Sequence, residues 1–138
     1  MKILYTLFIA ASLILGLSAC NKETATTQTE VMNTMLTNKN WYLDYSITGT
    51  STKSYVGQAT YFVTYLKDGT TKDSDGLTGN YTVEIINKQS QIHVQVKTTN
   101  GNPLEYIYNI ITVGDDKLVL EKTNTGQSIP TQLFFNSK

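Results

Sequence analysis

The chain has 138 residues, one Cys, one His, 11 Lys, no Arg and 11 acidic residues, for a formal net charge of zero. A neutral chain with no basic cluster gives nucleic acid nothing to bind, and without Arg there is no bidentate clamp for carboxylate or phosphate. One Cys excludes an internal disulfide, and the length allows a single modest domain that must be stabilised by packing.

Met1-Lys2 precedes an apolar run from Ile3 to Leu17, broken only by Thr6, Ser12 and Gly16. A short basic start, a brief apolar core and small residues at a cut site make a secretory signal. The run falls short of the roughly 20 apolar residues of a transmembrane helix, and Asn21-Lys22-Glu23 follows at once. An ordinary cleaved signal would leave Cys20 as a free thiol without a partner. Leu17-Ser18-Ala19-Cys20 resembles the lipobox of bacterial lipoproteins. The resemblance implies that 1–19 is a signal peptide and that Cys20 becomes the acylated N-terminus, carrying diacylglyceryl and fatty acyl chains such as palmitate. Each buried methylene contributes about 0.8 kcal/mol, so two or three chains hold firmly where one does not. The implied location is a bacterial membrane, with the outer membrane expected, facing the periplasm or the cell surface. Lys22-Glu23 is also faintly similar to the charged surface-export signal of Bacteroidota lipoproteins, and two solvated linker charges explain it equally well.

Residues 20 to about 29 are Thr-rich with little apolar content, which reads as a flexible tether. From Glu30 to Asn38 the apolar residues Val31, Met32, Met35 and Leu36 share one helical face. Thr29 is the expected cap and Asn38 the expected end. Tether and helix together occupy 20–38, and the β domain 39–138.

After Lys39 the period becomes two. Trp41, Leu43, Tyr45 and Ile47 alternate with Tyr42, Asp44, Ser46 and Thr48. Gly49 to Ser54 reads as a polar turn, Tyr55 to Leu66 as an aromatic and β-branched run, and Thr70 to Thr78 as a polar loop. Tyr81, Val83 and Ile85 alternate on the next strand, and Ile92, Val94 and Val96 on the one after. Asn100-Gly101 and Pro103 make a turn, then Leu104 to Val113, Lys117 to Lys122 and Thr131 to Asn136 are further strands. Short strands joined by regular short turns predict an all-β, antiparallel up-and-down barrel of about eight strands with a short N-terminal helix.

Several pieces occur in a telling order: Asn40-Trp41-Tyr42-Leu43, Leu66-Lys67-Asp68-Gly69-Thr70, Gly79-Asn80-Tyr81-Thr82-Val83, Tyr106 to Ile111, and Lys117-Leu118-Val119-Leu120. From Lys39 to Phe135 this resembles the lipocalin-like domains of small Bacteroidota lipoproteins. Lys39-Asn40-Trp41 stands where a true lipocalin has Gly-x-Trp. The resemblance implies the barrel fold, with Trp41 plugging its base.

Titratable chemistry is sparse. His93 sits opposite Ile92, Val94 and Val96 and reads as a solvated strand histidine more readily than as an acid-base group. One His and a lipidated Cys cannot supply a usual zinc set. Asp68, Asp73 and Asp75 with Gly69 and Gly76 lack the spacing of a calcium loop and read as turn residues. No Gly-x-Ser-x-Gly elbow is present. Glu84, Glu105 and Glu121 lie in alternating strands without a visible pairing for glycoside chemistry. The expected protein is therefore non-enzymatic and needs no cofactor or metal. Nine Tyr, four Phe and one Trp are the remaining signal. Tyr45, Tyr61, Tyr65, Tyr81, Tyr106 and Tyr108 are the candidate walls of a cavity for a small apolar or amphipathic ligand, since Tyr pairs an apolar body with a polar tip. The alternative is a protein-binding envelope factor, such as an inhibitor, immunity protein or accessory subunit, with a filled interior and an exposed aromatic patch.

Overall fold

Alternation gives each strand one apolar and one polar face, and the apolar faces are hidden only when the sheet curls on itself. The computed structural model describes residues 27–56, 61–97, 103–122 and 128–138. The expected signal at 1–19, Cys20, most of the expected tether and the expected Asn100-Gly101 turn lie outside the described residues.

The strands are β1 (Asn40–Thr48), β2 (Ser51–Ser54), β3 (Phe62–Tyr65), β4 (Thr70–Asp73), β5 (Thr78–Ile86), β6 (Gln89–Lys97), β7 (Pro103–Val113), β8 (Lys117–Lys122) and β9 (Thr131–Ser137). All pairings are antiparallel, in the order β2-β1-β3-β4-β5-β6-β7-β8-β9, and β9 returns to pair with β1. That last ladder closes an eight-strand barrel made of β1 and β3 to β9. The up-and-down barrel with its short helix is the fold the alternation predicts.

Two strands stand where polar turns are expected. β2 is Ser-Thr-Lys-Ser and fully exposed, and β4 is Thr-Thr-Lys-Asp. Neither has an apolar face to announce it. β2 pairs with Tyr45 to Thr48 of β1, on the edge whose first residues, Asn40 to Tyr42, hold β3. β4 is clamped between β3 and β5. Ladder hydrogen bonds, not burial, hold both.

The helix α1, described over 27–36, runs through Thr29, which is therefore a helical residue and not the cap. It stops as predicted at Asn38, whose φ of 64° is left-handed. Leu36 is fully buried, Met32 and Met35 are half-buried, and Val31 stays exposed. The Leu36 carbonyl accepts a hydrogen bond from Trp41 Nε1 at 2.9 Å, and Asn38 N–H donates to the Tyr65 carbonyl at 3.2 Å. These bonds satisfy the end of the helix and tie it to the barrel where β1 begins and β3 ends. Leu36, Trp41, Ile92, Leu118 and Leu120 are all but inaccessible and form the solid part of the core. Trp41 thus plugs the base.

Candidate functional site

The base is sealed, so any internal space lies toward the opposite end, where β4 turns into β5. A cavity of about 300 Å³ is found there. Leu43, Val63, Val94, Leu120 and Phe135 supply its apolar wall. Inward alternation along β3 and β7 brings four tyrosines to it: Tyr61 and Tyr65 from one side, Tyr106 and Tyr108 from the other.

Burial raises the pKa of three of these phenols. Tyr65 is pushed furthest, by desolvation first and then by Tyr108, Tyr61 and Tyr81. Tyr61 is raised by desolvation and then by the Asp73 carboxylate. Tyr108 is pushed up to about 12 by desolvation, with Tyr106 adding to it. All are therefore neutral hydroxyls at physiological pH, able to donate or accept. Tyr61 donates to Asp73 Oδ2 at 3.4 Å. Asp73 Oδ1 accepts from the backbone of Asp75 at 3.0 Å and of Leu77 at 2.9 Å, so one carboxylate shapes the β4–β5 turn and faces the cavity.

Tyr81 points inward but lower down. It meets Tyr65 edge-on, with centroids 4.9 Å apart, and its hydroxyl donates to the Leu66 carbonyl at 3.0 Å. It lines a groove between α1 and the barrel with Asn33 and Thr34, not the cavity. Its pKa is raised by burial and then by Asp68.

Tyr45 is on the outer wall. The β1–β9 register shifts between Leu43 and Tyr45, so Asp44 is an extra residue. A one-residue slip moves every later side chain to the other face. Leu43 pairs with Phe135 on the inside, whereas Tyr45 pairs with Phe134 on the outside and stacks on it at 4.3 Å. Ser46 is the residue turned inward, and it is buried. The Asn136 amide donates to the Asp44 carboxylate and pins the bulge. Strict alternation placed Tyr45 with Trp41 and Leu43, and no sequence signal marks the bulge.

Sequence reading missed Lys122. Leu118 and Leu120 are buried on the inner face of β8, and Lys122 continues that alternation. Its Nζ lies 4.6 Å from the centre of the Tyr106 ring. A charged residue continuing an apolar alternation was the available clue.

The other titratable groups sit elsewhere. His93 is on the outer wall, with Nδ1 3.6 Å from Glu105 Oε1 and Nε2 3.3 Å from Gln91 Oε1. The carboxylate partner not evident along the chain comes from β7, across the ladder. Asp68 is at the base end, where its carboxylate accepts from the Thr70 hydroxyl at 2.6 Å and its N–H at 2.9 Å. Those bonds hold its pKa below the ordinary carboxylate value. Asp68 and Asp73 thus occupy opposite ends of β4, and among the described residues no group of three or more His, Cys, Asp or Glu could hold a metal ion.

No protein-family model matches the chain, and no curated protein matches it.

Proposed function

We propose that the protein is a lipid-anchored lipoprotein of the cell envelope, of the lipocalin-like Bacteroidota type, whose barrel binds a small apolar or amphipathic ligand without transforming it. The observation that carries this reading is the tyrosine-walled cavity of about 300 Å³ above a sealed apolar base. That volume is at the small end of ligand sites, and its mix of apolar wall and few polar groups is what such sites use. His93 and Glu105 lie on the outer wall, which supports a binding role for the interior. The anchor rests on Leu17-Ser18-Ala19-Cys20.

Native mass spectrometry of protein extracted from its own membranes tests both halves. The expected spectrum carries acyl chains on Cys20 and a co-purifying small molecule. Leu133→Trp, which fills the cavity from its wall, should release that molecule while leaving the acyl groups. Cys20→Ala should move the protein out of the membrane fraction. A ligand-free wild type that also takes up no decanol would sink the binding half, and an unmodified Cys20 would sink the anchor.

The alternative, a protein-binding envelope factor, draws on the outer wall. Tyr42 lies 5.4 Å from Phe62 and Tyr45 stacks on Phe134, making an aromatic seam along β1, β3 and β9. Such a seam suits a partner surface. In that case Phe134→Asp should abolish a partner cross-linked in intact envelopes, and Leu133→Trp should not.

A further inference from the structure

Asp73 lines the cavity with Lys72, whose side chain is exposed, and Lys122 stands beside the lining residue Tyr106 without meeting Asp73. Asp73 ends β4 and Lys122 ends β8, both at the end away from the helix. Register turns both inward: Asp73 pairs with Val63, and Lys122 follows buried Leu118 and Leu120. Three strands separate β4 from β8 in either direction round the barrel, so the two residues face each other from opposite walls. The contact of His93 with Glu105 is the only one between a basic and an acidic side chain at salt-bridge distance among the described residues, so neither Asp73 nor Lys122 has an opposite charge beside it. Each is instead steadied by a cavity tyrosine. Tyr61 donates to Asp73 Oδ2, and the Tyr106 ring lies under Lys122 Nζ.

A half-buried charge is stabilised by an opposite charge brought close in a site from which water is displaced. A purely anionic ligand would satisfy Lys122 and face Asp73 unfavourably, and a purely cationic one the reverse. A neutral ligand would leave both wanting. Resting on the reading of this cavity as a ligand site, we propose that its ligand is a zwitterionic amphiphile. Its cationic group lies toward Asp73 and Tyr61, its anionic group toward Lys122, and its apolar part against Val94, Leu120 and Phe135.

The test is isothermal titration of the full chain with four decyl probes below their micelle concentrations: a decyl sulfobetaine with a propylene spacer, decyltrimethylammonium, decanesulfonate and decanol. The sulfobetaine should bind about tenfold more tightly than any of the others, since it alone places an opposite charge at both Asp73 and Lys122. Asp73→Asn keeps the Oδ1 acceptor that shapes the turn. It should weaken the sulfobetaine and the cation and spare the sulfonate. Lys122→Met keeps an apolar stem and should weaken the sulfobetaine and the sulfonate while sparing the cation. Equal affinity for all four probes, or variants that change none of them, would overturn the zwitterion proposal. The cavity reading would survive that result if Leu133→Trp still abolished decanol binding. Failure of every probe to bind would remove both.

Discussion

The consequence of lining a small cavity with four phenols is a pH dependence with a definite sign. The folded barrel keeps Tyr65 and Tyr108 protonated, whereas the unfolded chain releases their protons near the ordinary value of 10. The stability of these side chains is fully present below pH 10 and is lost as pH rises toward the folded values. The loss reaches about 1.4 kcal/mol per pH unit for each of the two. The urea midpoint should therefore fall steadily above pH 10, and Tyr65→Phe with Tyr108→Phe should flatten that fall. An unchanged slope in the double variant would mean that other groups control the alkaline limb. At this scale the chain was partly legible. Tyr61, Tyr65, Tyr106 and Tyr108 reach the cavity because their strands keep a strict period of two up to it. Tyr45 does not, because one unpaired residue at Asp44 reverses its face, and Lys122 was hidden by the habit of reading Lys as solvent-facing.

Elements depend on backbone contacts that side-chain patterns do not reveal. In β5, Gly79 lies against β6 so closely that a Cβ built there would sit 2.3 Å from the Gln95 carbonyl oxygen. Nothing flexible can yield, because the obstacle is main chain. Gly79→Ala should push β5 from β6 and cost about 1–3 kcal/mol, read as a lower urea midpoint with an unchanged slope. A variant as stable as the wild type would show that the strands tolerate separation. Gly69 has a different reason, since its φ of 82° completes the turn that Asp68 begins. The same blindness explains β2 and β4. Both are polar throughout and exist because β1, β3 and β5 offer them unpaired backbone groups. The helix was visible because Met32, Met35 and Leu36 share a face, while its start was not, since Thr29 fits equally at a cap or inside a turn.

At the level of the whole molecule, stability depends on closure. β9 pairs with both β8 and β1, and Phe135 stands opposite Leu118 on one and Leu43 on the other. Phe135→Ala should cost about 3–5 kcal/mol, a large share of the roughly 5–15 kcal/mol that holds a domain. Amide exchange should then accelerate in β1 and β8 together, more than in β5 and β6. Loss of protection confined to β9 would mean that the barrel does not open as one seam. The sequence alone determined the apolar run ahead of Cys20, the single Cys, the single His, the absence of Arg and the antiparallel β class, because these follow from residue identity and from periods short enough to read locally. Only the tertiary structure decided which tyrosines meet, where Tyr45 points, and that Asp73 and Lys122 stand on opposite walls at one end of the barrel. Those facts depend on β-bulges and on pairings between residues far apart in the chain, and no local period encodes them.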